Sequence, residues 1–121
     1  MFYMENMPVS QVNRALTATE VVACLAKLEG WTLSGDGADV VIEKTFRFTG
    51  YARTMVFVNT VAWLAQERHH HPELRVHFNH CVVRFQTHDV AGLSKLDFEC
   101  AAALDALPGS VLPVATSASR S

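Results

Sequence analysis

A possible chain reversal near position 80 is the feature that most constrains the fold of this chain. Two runs rich in β-branched and aromatic residues, 74–78 and 81–87, are separated only by Asn79 and His80. Asn tolerates the left-handed backbone that a tight two-residue hairpin loop requires. The pattern therefore predicts a β-hairpin, and one unbroken strand is the alternative.

The hairpin decides whether two separate histidine segments share one site. With a loop at 79–80, the numbers of opposite residues add to 159, so His71 faces His88 and His70 faces Asp89. In an unbroken strand, which rises about 3.3 Å per residue, the two segments lie tens of ångströms apart. Imidazole gives and takes protons near neutrality, so a shared site suggests either proton transfer or a metal.

Geometry favours proton transfer over a metal. Adjacent histidines on an extended chain point to opposite faces, so the run 69–71 does not easily supply two ligands to one ion, and HxxxH or CxxC spacing is missing. Pro72 biases His71 towards an extended backbone, which holds the histidine pair in a defined direction. A zinc site and a polar loop without chemistry remain the alternatives. Trp31 is by default a core residue, although an aromatic ring beside a cleft can stack on a flat heterocycle.

Capping residues and β-branched runs on both sides of the hairpin predict further helices and strands, which is an α+β arrangement. Residues 17–20 match a capping box at the start of a first helix. Strands are predicted at 31–33 and 40–48 from their β-branched and aromatic residues. Ser94, followed three residues later by Asp97, caps another helix after the hairpin.

A longer helix is predicted at 51–67, with Thr49 as its cap. It is apolar around most of its circumference, and a helix of that kind must be covered on more than one side. One side can lie on the sheet. We expect the other side to pack on a second copy of the chain.

Length and composition fit one globular domain in a reducing compartment. The chain has 121 residues and a formal charge of −2, which gives no broad electrostatic reason to bind nucleic acid or an anionic membrane. No apolar run approaches the roughly 20 residues that span a bilayer, and the start lacks the features of a signal peptide. Cysteines without CxxC spacing read as core residues, so the cytoplasm is the default location. We predict a loose leader over 1–14 and a disordered tail over 109–121.

The histidine segments and their surroundings together resemble the pterin-4a-carbinolamine dehydratase family. The resemblance covers about residues 16–107 and keeps the same order along the chain. The matching residues are Gly30-Trp31, Phe46-Arg47-Phe48, the long helix, His70-His71-Pro72, Phe78, Thr87-His88-Asp89, Ala91-Gly92-Leu93-Ser94 and Asp97. The spaced histidine set is fairly specific, whereas the Gly-Trp pair alone is a weak match.

The resemblance implies a fold and an activity. The fold is α+β, a four-stranded antiparallel sheet with three helices packed on one face, in a single domain over 15–108. The activity is that of a 4a-hydroxytetrahydrobiopterin dehydratase, which removes water from 4a-hydroxytetrahydropterin to give quinonoid dihydropterin and so supports tetrahydropterin recycling for aromatic amino acid hydroxylases. The family uses no metal or organic cofactor and assembles as homodimers or homotetramers, here through the 51–67 helix.

The resemblance also implies which residues carry the reaction. The catalytic histidines of the family fall on His70, His71 and His88. The pterin-contacting segments of the family fall on 69–71 and 86–89, so the expected contacts are His69, Gln86, Thr87 and Asp89. To these we add Trp31, not from the resemblance but because an aromatic ring beside the site can stack on the pterin.

Two positions depart from the family pattern. The family usually has a carboxylate four residues before the first catalytic histidine, where this chain has Gln66, and a Trp after Pro-Glu, where it has Leu74. A neutral amide can hydrogen-bond an imidazole but cannot stabilise its protonated form by charge. The neighbouring Glu67 is rotated about 100° around the helix and is a poor substitute. These departures favour an alternative function, a low-activity or inactive pterin-binding or regulatory module of the same fold.

Overall fold

The computed structural model describes residues 14–113, which form an antiparallel sheet covered by helices. The strands pair in the order β1-β2-β4-β3. The helices are α1 (Ala18–Leu25), α2 (Tyr51–Arg68) and α3 (Lys95–Asp105), and the strands are β1 (Thr32–Ser34), β2 (Val41–Arg47), β3 (Glu73–Val76) and β4 (His80–Phe85). The predicted α+β class, with a four-stranded antiparallel sheet and three helices in the described range, is confirmed.

Local sequence signals explain where α1 and α3 begin. In α1 the Glu20 amide donates to the Thr17 hydroxyl at 3.2 Å, and the Thr17 amide donates to the Glu20 carboxylate at 2.9 Å. Ser94 and Asp97 form the same reciprocal capping box at α3. Each box satisfies amides that the first turn of a helix leaves without partners, as the sequence predicts.

The predicted cap of α2 is wrong. The helix begins at Tyr51 after Gly50, and no side chain caps its first amides. Thr54 lies one turn inside the helix and is fully buried, and its hydroxyl lies 2.9 Å from the Gly50 carbonyl and 3.1 Å from the Phe78 carbonyl. Thr54 therefore ties the start of α2 to the hairpin loop, whereas Thr49 stays exposed.

The core lies between the inner face of the sheet and the helices. Phe57 of α2 is fully buried and packs on Phe46 of β2, with ring centroids 4.6 Å apart. Each large apolar side chain buried in this way contributes roughly 1.5–3 kcal/mol to the free energy of unfolding. This packing holds α2 and α3 against the sheet and thereby fixes where α2 ends and α3 begins. The buried residues of this cluster are Trp31, Ile42, Phe46, Phe57, Val61, Cys81, Val83, Phe85, Leu93, Phe98, Cys100, Ala101 and Leu104.

The predicted hairpin is present between β3 and β4, but its register differs from the prediction. The numbers of paired residues, such as Val76 with Cys81, add to 157 and not to 159. The loop is therefore 78–79, closed by a 2.8 Å hydrogen bond from the His77 amide to the His80 carbonyl.

Contacts with neighbouring elements explain the position of the hairpin loop. Asn79 does not take the left-handed backbone that the sequence suggests, because the non-glycine residues with positive φ within 14–113 are His69 and Ala91. Its carbonyl instead accepts from the Phe48 amide at 2.7 Å, which continues the pairing of β2 with β4 past the end of β2. Pairing with β2, and not the turn preference of one residue, therefore sets the loop.

The predicted end segments fall largely outside the described residues. The leader over 1–14 is described only at its last residue, and the tail over 109–121 only as far as residue 113. In that first part of the tail the amides of Val111 and Leu112 donate to the Pro108 carbonyl at 2.9 and 3.0 Å, and both side chains pack against the core. Both segments otherwise stay predictions. None of the helices formed within 14–113 has the length and apolar character to cross a membrane.

Candidate active site

A cavity of about 170 Å³ opens where α2 and β4 end and α3 begins. Its walls are His69, His70, His71, Gln86, Thr87, His88, Asp89 and Leu96. The hairpin brings the two histidine segments together, although its register, continued past the strands, puts His71 opposite Gln86 and not His88. Of the predicted site residues, Trp31 does not line the cavity: it is 4% exposed in the core and donates its indole N–H to Asp105 at 2.9 Å. We therefore leave Trp31 out of the site.

The end of α2 shapes the histidine run. His69 has φ 55° and ψ 38°, a left-handed conformation that glycine usually takes at the end of a helix. The amide of His69 donates to the carbonyls of Ala65 and Gln66, and the amide of His70 donates to the Ala65 carbonyl at 3.1 Å. This reversal buries one imidazole of the run 69–71, since His70 is 8% exposed while its two neighbours are exposed.

His70 is held by buried partners. Its Nε2 lies 2.6 Å from Oδ1 of Asp97, which is fully buried. Oδ2 of Asp97 accepts from the Thr87 hydroxyl at 2.7 Å and from the Ser94 amide at 3.0 Å. The imidazole also stacks on Phe85, with ring centroids 5.8 Å apart and planes 9° apart. Contacts at the edge and the face together hold the ring in one orientation, as hydrogen bonds behind a functional histidine do in other sites.

The sequence did not predict the contact between His70 and Asp97, because it indicated Asp97 only as a helix cap and as part of a family motif. The two residues are 27 positions apart, and they meet because α3 packs beside the end of α2. The capping box was a usable signal, because a buried capping carboxylate has a second oxygen that also needs a donor. Leu96, the apolar wall of the cavity, was missed as well.

Other side chains of the cavity are free of such partners. Each is exposed and makes no side-chain hydrogen bond to another residue in the part of the chain that the structure describes. These side chains are His69, His71, His88 and Asp89. Gln86 differs, because its Nε2 donates to the carbonyls of Ala38 and Val40 at 2.6 and 3.0 Å. The cavity thus combines fixed groups with imidazoles and a carboxylate that can turn to meet a ligand.

A larger cavity of about 460 Å³ lies elsewhere, beside the 2.9 Å ion pair of Lys44 with Asp105. Lys44 also donates to the Glu29 carbonyl at 3.0 Å, and Asp105 also accepts from Trp31. The charges of Lys44 and Asp105 are therefore already paired with each other within the protein. The smaller cavity holds imidazoles that have no side-chain partner within residues 14–113, which makes it the better candidate for chemistry.

The two remaining histidines, His77 and His80, lie at the far end of the hairpin. Their rings stack with centroids 4.2 Å apart. Partial desolvation, and then the neighbouring His77 and Arg47, lower the pKa of His80. They belong to the hairpin tip and not to the candidate site.

Metal binding was an alternative that the sequence left open. Within residues 14–113, no group of three or more His, Cys, Asp or Glu side chains is arranged so that it could hold a metal ion. The buried imidazole of the run, His70, uses its Nε2 on Asp97. The described side chains give the zinc interpretation no support.

Comparison with known proteins assigns this chain to one family. The sequence model described as pterin 4 alpha carbinolamine dehydratase matches residues 14–107. A protein of Paracidovorax citrulli named "Putative pterin-4-alpha-carbinolamine dehydratase" is 57% identical over 98 residues, which cover 81% of this chain and 84% of that protein. A protein of the same name from Stenotrophomonas maltophilia (strain K279a) is 45% identical over 101 residues, covering 84% and 85% of the two chains.

Solved structures agree with this assignment. A crystal structure described as a transcriptional coactivator/pterin dehydratase from Brucella melitensis superposes with a TM-score of 0.71 at 28% identity, covering 77% of this chain and 97% of that one. A pterin dehydratase-like protein described as a RuBisCO assembly factor in the alpha-carboxysome superposes with a TM-score of 0.55 at 23% identity, over 64% of this chain and 88% of that one, and shows a shared fold alone. The chain belongs to the pterin-4a-carbinolamine dehydratase family.

Proposed function

We propose that this chain removes water from 4a-hydroxytetrahydropterin and gives quinonoid dihydropterin. The observation that carries the proposal is that imidazoles from two separate segments, 69–71 and His88, line one cavity. Family membership supplies the reaction class. The role of the reaction in tetrahydropterin recycling and the cytoplasmic location stay predictions.

The dehydration needs one group that gives a proton and one that takes a proton. The C4a–O bond breaks as the hydroxyl takes up a proton and leaves as water. A ring N–H loses its proton, and the electron pair of that bond forms the C=N bond of the product. Imidazoles on different walls of one cavity can serve both steps, and general acid–base catalysis of this kind typically contributes about 10²–10⁴-fold.

His70, His71 and His88 are the proposed catalytic residues, and the contacts of His70 suit it to take the proton. An ionised Asp97 can only accept hydrogen bonds, so Nε2 of His70 is the donor in their pair. The neutral imidazole then has its lone pair on Nδ1, where it can accept a proton. The exposed His71 and His88 are free to give a proton to the leaving hydroxyl.

The proposed pterin contacts are His69, Gln86, Thr87 and Asp89. Asp89 is exposed and can accept hydrogen bonds from ring N–H groups. The hydroxyl of Thr87 lies 2.8 Å from the Ser94 hydroxyl and donates to Asp97, so Thr87 would border the pterin as part of the cavity wall and not through its hydroxyl proton. No metal or organic cofactor enters this proposal.

We propose in addition that the chain forms a homodimer or homotetramer through α2. The outer face of α2 carries Trp63 at 69% and Val56 at 44% exposure, and large exposed apolar side chains on one helix are typical of a contact surface. Light scattering should give two or four times the mass of the chain, and Trp63→Glu should lower it. A wild-type protein that is monomeric at micromolar concentration contradicts this proposal.

The test of the enzyme proposal is dehydration of freshly generated carbinolamine, followed by absorbance. Wild-type protein should accelerate the reaction, and His70→Ala and His88→Ala should each lose most of that effect. His77→Ala is the matched control, because it removes the same side chain from the far end of the hairpin and should keep the wild-type rate. No acceleration by micromolar wild-type protein contradicts the proposed function.

The second candidate is a pterin-binding or regulatory module with weak or no turnover, and one observation favours it. Gln66 occupies the position of the usual family carboxylate, and its side chain is exposed and does not line the cavity. Such a module would bind a stable pterin in a fluorescence titration and leave the decay of the carbinolamine unchanged. Catalysed decay contradicts it.

A further inference from the structure

The side-chain amide of Gln86 has a defined orientation at the wall of the cavity. It is half-buried, and its Nε2 donates to two carbonyls, those of Ala38 at 2.6 Å and Val40 at 3.0 Å. An amide oxygen cannot donate to a carbonyl, so chemistry assigns the nitrogen to this side. Both N–H groups are then used, and Oε1 is the polar atom of Gln86 that remains.

The partner of this amide is a tight loop that cannot easily follow a change in Gln86. Residues 37–39 form a single 3₁₀ turn between β1 and β2. Gly35 and Gly37 have positive φ of 76° and 58°, and a Cβ at Gly35 would lie 2.7 Å from the Asp39 carbonyl oxygen. Only glycine fits such a close approach without a shift of the backbone. The loop therefore presents its carbonyls in one arrangement and holds Gln86 in place.

Gln86 stands apart from the other polar side chains of the cavity described above. The hydroxyl of Thr87 and Nε2 of His70 are engaged with Asp97. The exposed imidazoles and Asp89 are unpaired among the described residues, but nothing holds them in one direction. Among the described side chains that line this cavity, His70 and Gln86 are each held by a donor atom and keep an unused acceptor. The proposed reaction already uses Nδ1 of His70, whereas it gives no role to Oε1 of Gln86.

We propose that Oε1 of Gln86 accepts a hydrogen bond from the exocyclic 2-amino group of the pterin, which makes Gln86 a specificity-determining residue. This inference rests on the proposed function, because it takes the ligand of the cavity to be a pterin. A held acceptor favours a ring that offers an N–H donor over one that offers a carbonyl at the same place. The loss of one such buried pairing corresponds to about a ten- to hundredfold change in affinity.

The experiment compares two stable ligands that differ at this position, 6,7-dimethylpterin and 6,7-dimethyllumazine, whose 2-oxo group replaces the amino donor. Fluorescence titration of the wild-type chain should show about a ten- to hundredfold preference for the pterin. Gln86→Met should bind the two ligands with nearly equal affinity. Gln86→Ala, which leaves room for water at the Ala38 and Val40 carbonyls, is the second variant if the first does not fold. Asn59→Ala, which removes an exposed amide of α2, should keep the wild-type preference.

Each outcome decides a different point. A wild-type chain with no preference, or a Gln86 variant that keeps it, overturns the inference. Catalysed dehydration together with lost preference leaves the proposed function standing. A clear preference for the pterin without catalysed dehydration overturns the proposed function and leaves the role of Gln86 standing. A chain that binds neither ligand overturns both.

Discussion

Replacing Asp97 by Asn tests the role given to His70 without removing any atom from the cavity wall. In the wild-type chain the carboxylate accepts from Nε2 of His70 at 2.6 Å. An Asn at this position can keep its oxygen towards Thr87 and the Ser94 amide, which places its NH₂ group opposite Nε2. The imidazole must then move its proton to Nδ1 so that Nε2 can accept. Nδ1 loses the lone pair that the proposed mechanism uses.

The expected magnitudes separate chemistry from stability. Loss of one ideal partner from a buried hydrogen-bonded pair lowers the free energy of unfolding by about 1–3 kcal/mol. A domain with a typical stability of about 5–15 kcal/mol stays folded after such a loss. A functional imidazole in the wrong tautomer should lower kcat/KM by about 10²–10⁴-fold, the range that general acid–base catalysis contributes. The rate loss should therefore greatly exceed what unfolding explains.

The assay pairs carbinolamine dehydration with urea unfolding for Asp97→Asn and for a matched control. Thr17→Ala is the control, because it removes a cap from the same kind of capping box in α1, away from the cavity. It should cost about 0.5–2 kcal/mol and leave kcat/KM unchanged. An Asp97→Asn variant with the wild-type rate, or one that loses no more activity than Thr17→Ala, refutes the role given to the His70–Asp97 pair.

Three further predictions follow from the structure. His69→Gly should raise the free energy of unfolding by about 1 kcal/mol, because glycine takes the left-handed backbone at no steric cost, and it should also lower kcat/KM. Ala91→Gly, at the other left-handed non-glycine position within 14–113, should stabilise the chain without a loss of rate. Full activity in His69→Gly contradicts a contact between His69 and the pterin. A hydrogen bond from Arg14 is the largest cause that lowers the pKa of Glu20 to about 2, so stabilisation by this carboxylate should be complete above pH 4.5 and lost as the pH falls towards 2. The difference in urea midpoint between wild type and Glu20→Gln should shrink over that range, and a constant difference contradicts the ion pair. Gln66→Glu should raise the dehydration rate if a missing carboxylate limits turnover, and an unchanged rate removes that explanation.

Most of the fold could be predicted because its signals are local. The capping boxes at Thr17 and Ser94 mark the starts of α1 and α3, and the β-branched run before Phe48 marks β2. The hairpin register could not be predicted in the same way. It depends on the bond from the Phe48 amide to the Asn79 carbonyl, which is a contact between strands that are distant in sequence. A one-residue preference for a turn is weaker than a strand ladder.

The same distinction, between local signals and contacts of residues distant in sequence, applies to the candidate site. The histidine segments could be paired from sequence because any hairpin near position 80 brings them together. The buried contact of His70 with Asp97 and the tether of Gln86 to Ala38 and Val40 join residues 27 to 48 positions apart, and they arise only from packing. Trp31 shows the opposite case, since its aromatic ring suggested a stacking role and its burial in the core gives it a structural one.

The most direct test of the central claim is the dehydration rate of wild type, His71→Ala, His88→Ala and the double variant. The claim is that imidazoles from both segments act on one substrate molecule. Each single variant should fall by about 10²–10⁴-fold, and the double variant should fall no further than the worse single one, because residues that act as a unit show non-additive losses. Losses that multiply in the double variant, or a wild-type chain that does not accelerate the reaction, would contradict the account.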